Sequence, residues 1–277
     1  MDQYRVFGNP IKHSRSPVIH QHFASVTGQS LNYEKQWIEI DDFESEVTAF
    51  FNAGGKGLNI TLPFKERAFQ MAQKVNEEAA FAGAVNTLMM KDNILYGYNT
   101  DGVGLLEDLH GHLNWPTESR RILILGAGGA SRGVLHPLIQ SNPKEIVISN
   151  RTLSKAEDLV SIVKDKTQFD DIHYSPFEGL DQFDAFDLII NATSASLDNQ
   201  AIKLPESICN ERTACYDMAY GADMTVFLKW ACTCGVLNTA DGLGMLVEQA
   251  AHSFFLWTGV APSTALIRSK LKEGLLV

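Results

Sequence analysis

The chain has 277 residues, enough for one or two domains and a sizeable core without disulfide or metal staples. Its 45% hydrophobic and 20% charged residues fit a globular protein rather than a disordered or fibrous one. A formal charge of −10 argues against a general nucleic-acid or anionic-membrane binder, because phosphate backbones demand a basic face, but still admits a small anionic ligand.

Short β-like runs alternate with helical stretches. Residues 4–7 read as a strand. A helix follows over 17–28, with Ser16 as N-cap, Pro17 at the first position and Gly28 as stop. Residues 33–40 read as a strand and 43–52 as a helix ended by Gly54-Gly55. Residues 57–61 are strand-like, and a helix starts from Pro63. Runs 85–90 and 94–98 flank Lys91-Asp92-Asn93 as a hairpin, and 102–113 is helical. A second set opens at Arg121, where Ile122-Leu123-Ile124-Leu125 has the continuous apolar character of a strand buried on both faces. Helices are expected over 130–140, 153–164, 224–234 and 243–257, and strands over 145–149, 187–191 and 213–218. This alternation implies βαβ units and mostly parallel sheets. The expected fold is α/β in two domains. A mixed α/β domain spans 1–101 and is completed by 240–277, whose helices return to it; a Rossmann-type, doubly wound domain spans 102–239.

No basic segment followed by an apolar one opens the chain, and no apolar run approaches the ~18–20 residues of a membrane span. A cytoplasmic location is expected. Cys209, Cys215, Cys232 and Cys234 form no C-x-x-C pair and read as buried or inert thiols. His20, His22, His110 and His112 lie in helical stretches where i and i+2 diverge, so they read as surface or cap residues, and no metal site is expected.

After the strand at 122–125 comes Gly126-Ala127-Gly128-Gly129-Ala130-Ser131. A glycine-rich run alone is weak evidence. This one follows a buried strand and opens a helix, the setting in which such a turn cradles a dinucleotide pyrophosphate. Gly126 permits the turn, Gly128 lets backbone approach the phosphates, and the helix N-terminus supplies oriented amides. Ser131 replaces the third glycine and is small enough for close packing. Sites for NAD place an acidic residue at the end of the next strand; here stand Asn150, Arg151 and Thr152, with Lys155 following. Arg151 can meet a 2′-phosphate with charge-assisted hydrogen bonds, so NADP is expected over NAD.

The first domain carries a scattered polar set. Ser14 and Ser16 place two hydroxyls just before a helix. Asn59 and Thr61 share one face of a strand, and Lys65 falls in the first turn of the next helix, where the dipole disfavours a cation. Asn86 and Asp101 stand at the ends of β-like segments, where open α/β sheets place ligands. Taken singly, each is as readily a turn, cap or surface residue.

Together, HSRSP (13–17), NITLPFK (59–65), GAVNT (83–87), NTDG (99–102), GAGGAS (126–131), NRT (150–152), NATS (191–194), DMAY (217–220) and DGLGMLVEQA (241–250) resemble the shikimate dehydrogenases, in family order and across essentially the whole chain. The resemblance implies an NADP-dependent oxidoreductase of aromatic amino-acid (chorismate) biosynthesis that reversibly reduces 3-dehydroshikimate to shikimate. It implies Lys65 and Asp101 as the catalytic pair, with Ser14, Ser16, Asn59, Thr61, Asn86, Tyr220 and Gln249 around the carboxylate and ring hydroxyls. It implies Gly126, Ala127, Gly128, Gly129, Ala130, Asn150, Arg151, Thr152, Lys155, Met218 and Gly242 on the cofactor side, and Glu77 near the cofactor. A small-molecule substrate and a monomer or homodimer follow from the same resemblance. Two positions depart from the family pattern: Arg15 between the serines, and Ser196, where relatives often have glycine. A quinate/shikimate dehydrogenase paralogue and a non-catalytic NADPH-binding module are the rival expectations. The retained Lys65–Asp101 pair opposes the second, since a binding module needs no acid–base group.

Overall fold

In the computed structural model, which describes residues 1–196 and 200–274, the chain opens with β1 (Asp2–Gly8), α1 (Ser16–Thr27), β2 (Leu31–Trp37), α2 (Phe43–Asn52) and β3 (Gly57–Ile60). There follow α3 (Lys65–Met71), β4 (Lys74–Val75), α4 (Glu77–Ala82), β5 (Thr87–Lys91), β6 (Ile94–Tyr98) and α5 (Asp101–Glu107). These strands form one sheet in the order β2-β1-β3-β5-β6-β4. Its β1–β2, β1–β3 and β4–β6 pairs are parallel, whereas β3–β5 and β5–β6 are antiparallel. Asp92 and Asn93 make a two-residue turn with φ of 51° and 60°, the positive values that a tight hairpin needs.

The pleat of β1 divides two cores. Phe7 joins Phe43, Phe50, Leu58 and Phe64 on one face. Tyr4 and Val6 join Ile19, Phe23 and Tyr33 on the other. That second face is covered by Val247, Phe254 and Ile267 from α9 (Leu243–Thr258) and α10 (Ala265–Lys272). Register places Tyr33 beside Tyr4 and Asn59 beside Val6, so Asn59 is a polar residue set into an otherwise apolar face.

α1 begins one residue earlier than its proline suggested. Arg15, not Ser16, holds the N-cap position, with φ −89° and ψ −6°, and no side chain caps the helix. Ser16 is already helical, and its amide donates to Ser14 Oγ at 3.3 Å. Gly28 ends the helix in the left-handed region at φ 69°. His20 also departs from expectation. It is fully buried, because its face of α1 packs on β2, and its ring stacks on Tyr33 at 4.1 Å.

The second set comprises β7 (Arg121–Leu125), α6 (Gly129–Gln140), β8 (Glu145–Ser149), α7 (Leu153–Lys166), β9 (Ile172–Ser175), β10 (Leu188–Asn191), β11 (Ala214–Asp217), α8 (Val226–Thr233) and β12 (Asn238–Asp241). Its sheet runs β12-β11-β10-β7-β8-β9, every pairing parallel. Counted along the chain this is the 3-2-1-4-5-6 order of a doubly wound dinucleotide fold. β9 and β12 escape a hydrophobic reading because each is a short edge strand with few apolar residues.

The chain divides into two units, Met1–Gly104 with Leu246–Val277, and Leu105–Met245. The divisions fall within α5 and α9 rather than at residues 101 and 239, because both helices run through the point of change. Past Glu107, α5 continues as one π-helical turn, Asp108–His112. Among the described residues, no helix is long and apolar enough to cross a membrane.

Candidate functional site

Within the first unit, five separated segments converge on one polar cluster. Phe64 stacks on Phe43 with centroids 4.6 Å apart and fixes the start of α3, so Lys65 is its first residue. Asp101 opens α5, where the dipole favours a carboxylate. Asn99 fixes that turn: its Oδ1 accepts from Asp101 N at 3.1 Å and its Nδ2 donates to Ala84 O at 3.0 Å. Lys65 Nζ then donates to Asp101 Oδ2 at 2.6 Å, with 26% and 12% of the two side chains exposed. The pair is shielded yet open to solvent, as a group that must exchange a proton requires.

Asn86 supports the carboxylate from the other side, its Nδ2 donating to Asp101 Oδ1 at 2.8 Å. Gln249 reaches the same group from α9, its Oε1 3.5 Å from Asn86 Nδ2. Gly104 allows this approach: a Cβ there would lie 2.6 Å from Gln249 N. Asn59 is buried, and its amide is engaged by Tyr33, Thr87 and Ser253. Thr61 lies just past β3 with its methyl against Gly8. Ser14 and Ser16 sit together at the head of α1.

In the second unit a cavity of about 780 Å³ opens at the switch point between β7 and β10. It is lined by Gly126, Ala127, Gly128, Gly129, Ala130, Asn150, Arg151, Thr152 and Lys155. Gly126 has φ +104°, and a Cβ there would come within 3.2 Å of Ala192. At Gly128 and Gly129 a Cβ would meet only open space, so backbone faces the cavity. Ser131 does more than stay small: its hydroxyl donates to Gly126 O at 2.7 Å and ties the turn shut. Among the described lining residues, Arg151, Lys155 and Lys203 stand against one carboxylate, that of Glu178, a balance that suits a phosphorylated ligand. These residues fit a dinucleotide.

Thr193, within NATS, also lines this cavity, as do Lys203 and Phe177, which carry no motif by which sequence could find them. Ser196 is tied to the end of β11. The buried Asp217 carboxylate accepts from Ser196 Oγ and Thr225 Oγ1, both at 2.6 Å, and from Asn191 Nδ2 at 3.0 Å. Met218 and Gly242 lie together at the ends of β11 and β12, where a Cβ on Gly242 would strike Met218 O. Neither lines the cavity. Tyr220 follows β11 in the second unit, and Glu77 is the exposed first residue of α4 in the first. Cys209 and Cys215 are buried, and burial pushes the Cys209 thiol up to about 12. Cys232, by contrast, is exposed, on the outer side of α8. Among the described residues, no group of three or more His, Cys, Asp or Glu could hold a metal ion.

A doubly wound parallel sheet with a glycine turn at its switch point, joined in one chain to a lysine–aspartate pair, defines the class of dinucleotide-dependent oxidoreductases. Family models agree. The shikimate dehydrogenase substrate binding domain matches residues 6–88, shikimate / quinate 5-dehydrogenase matches 110–218, and the shikimate 5'-dehydrogenase C-terminal domain matches 242–272. The shikimate dehydrogenase (NADP(+)) of Cellvibrio japonicus is 48% identical over 277 residues, covering 99% of this chain and 98% of its own. The crystal structure of an Ael1 enzyme from Pseudomonas putida superposes with a TM-score of 0.92 at 43% identity, over 98% of each chain. That of shikimate 5-dehydrogenase from Thermus thermophilus, in complex with NADP(H) and shikimate, gives 0.87 at 31% identity, over 99% of each chain. The chain belongs to the shikimate dehydrogenase (NADP(+)) family.

Proposed function

We infer that this chain catalyses the reversible NADPH-dependent reduction of 3-dehydroshikimate to shikimate in aromatic amino-acid biosynthesis. The observation that carries the reading is the Lys65–Asp101 pair, 2.6 Å apart within a converged polar cluster. The first unit is assigned to the substrate and the second to the cofactor. NADPH, when bound, supplies the hydride; the chain's own residues must supply the proton and hold the ring. The Lys65 ammonium donates its proton to the oxygen that gains charge as the carbonyl is reduced, and its amine takes one back during shikimate oxidation. Asp101 holds Lys65 in position. The Ser14 and Ser16 hydroxyls are assigned to the substrate carboxylate. Thr61, Asn86, Gln249 and Tyr220 are assigned to the ring hydroxyls. Asn59 is placed behind them, since its amide is committed within the protein. Gly126–Ala130 and Asn150–Lys155 are assigned to the pyrophosphate and the 2′-phosphate, Met218 and Gly242 to the cofactor's far portion, and Glu77 to its vicinity. Four free thiols favour a reducing compartment, and we assign the enzyme to the cytoplasm as a monomer or homodimer.

Steady-state assays of shikimate and quinate, each with NADP and with NAD, test the reading. Turnover highest with shikimate and NADP is expected. Comparable turnover of quinate with NAD would instead indicate a paralogue of relaxed specificity. Cofactor binding without turnover of either acid would overturn catalysis altogether.

A further inference from the structure

Behind the Lys65–Asp101 pair, buried side chains form a file of hydrogen bonds whose donors all point one way. Fixed partners set that direction. Asn86 Oδ1 accepts from Thr100 N at 3.0 Å, a group that can only donate, so the amide nitrogen of Asn86 must face Asp101. Asn59 Nδ2 lies 3.3 Å from Asn86 O, a group that can only accept, so Asn59 Oδ1 must face Tyr33 Oη, 2.6 Å away. The phenol hydrogen is thereby committed to Asn59. Thr87 Oγ1 receives Asn59 Nδ2 at 3.1 Å and can pass its own hydrogen to Asn86 Oδ1 at 2.9 Å, because its other neighbour, Ser253 Oγ at 2.7 Å, has Gln249 O at 3.1 Å as an acceptor for its own hydrogen. The donors run Tyr33, Asn59, Thr87, Asn86, and end on the Asp101 carboxylate that Lys65 grips by its other oxygen.

The head of this file cannot swing. Tyr33 is 1% exposed, and its ring lies within 5° of parallel to His20. Thr87 is fully buried. Beyond the two asparagines, Thr87 Oγ1 meets only Ser253 Oγ, at 2.7 Å, among the described side chains of this cluster. The Ser16 hydroxyl sits beside the Tyr33 phenol, so the file begins at the seat assigned to the substrate carboxylate.

We propose that Tyr33 is a positioning residue for the acid–base pair: its hydroxyl fixes the Asn59 amide and, through Thr87 and Asn86, the orientation of the Asp101 carboxylate that holds Lys65. This rests on the reading of Lys65 and Asp101 as the acid–base pair of shikimate oxidation. Tyr33→Phe keeps the ring and its stack on His20 and removes only the hydroxyl; Thr87→Val removes the third link at nearly constant volume.

The test compares the full-length enzyme, both single variants and the double variant in shikimate oxidation at saturating NADP. Each single variant should lose kcat about tenfold, the order expected for one buried hydrogen bond, with both KM values within about twofold of wild type. Because the two links lie in one file, the double variant should fall no more than about twofold below either single. A Tyr33→Phe enzyme with wild-type kcat overturns the proposal. So do losses that multiply in the double variant, or a loss confined to KM, since both describe independent packing defects. Melting curves accompany the assays; where Tyr33→Phe is unfolded at the assay temperature, Thr87→Val alone carries the kcat-against-KM criterion. A wild-type enzyme that binds both ligands but does not oxidise shikimate overturns the reading of function, and the proposal with it.

Discussion

Lys65 is an expensive residue to keep where it is. The first turn of α3 disfavours a cation, and the Asp101 carboxylate at 2.6 Å offsets that cost. Lys65→Met should therefore lower kcat by roughly 10²–10⁴-fold, the range for a lost acid–base group, and change KM for shikimate far less. Retained kcat in steady-state assays would remove the assignment. Arg151 makes the matching case on the cofactor side. It stands exposed at the cavity lining, with Lys155 and Lys203 as further cations. Arg151→Ala should raise KM for NADP by about tenfold or more while leaving that for NAD nearly unchanged, because only the former carries the 2′-phosphate. Such residues are legible in sequence because their chemistry is written in type and local spacing: glycine where φ is positive, a cation where an acid is expected. Lys203 is not, since a lysine in an irregular loop looks like any surface lysine until the sheet order brings it to the cavity. Tyr33 and Ser253 are hidden for another reason. One reads as an ordinary strand aromatic and the other as a small residue on an apolar helix, and only register and helix packing turn them toward Asn59.

At the scale of elements, the strongly patterned ones were legible to the residue. α2 spans Phe43–Asn52 and β8 spans Glu145–Ser149, as their apolar periodicities require. The short edges β4, β9 and β12 were not, because two to four residues with little apolar content carry no period. The Ser16 cap failed for a physical reason as well. Ser14 already accepts the Ser16 amide, so the chain turns into the helix one residue sooner. Element pairing also yields a prediction. α5 and α9 touch so closely at Gly104 that a Cβ would sit 2.6–2.9 Å from the backbone and Cβ of Gln249. Gly104→Ala should cost about 1–3 kcal/mol in urea unfolding and raise KM for shikimate as Gln249 shifts. Unchanged stability and KM would show that α9 yields without displacing its glutamine.

The whole fold inherits a pH dependence from His20. Burial pushes this imidazole down to about 3, and the neighbouring Asn59 side chain opposes that shift only in part. The folded protein thus holds His20 neutral, while the unfolded chain protonates it near its ordinary value of about 6.5. The unfolded state binds the extra proton, so this contribution is complete above about pH 6.5 and is lost as pH falls from there toward 3, at up to ~1.4 kcal/mol per unit. Replacing His20 with Phe should flatten the difference in urea midpoint between pH 7 and pH 5 relative to wild type. An equal pH response in both would mean that carboxylates alone set it.

Chain order adds a consequence of the two-part division. The second unit, Leu105–Met245, is one continuous stretch, whereas the first closes only with the helices beyond Met245. A chain emerging from the ribosome therefore has every residue of the second unit before the first can be finished. Until α9 and α10 arrive, the core of Tyr4, Val6 and Tyr33 from the sheet and Ile19 and Phe23 from α1 lacks Val247, Phe254 and Ile267, and Asn59 lacks Ser253. The first unit is begun first and completed last, and its apolar face stays uncovered throughout that interval.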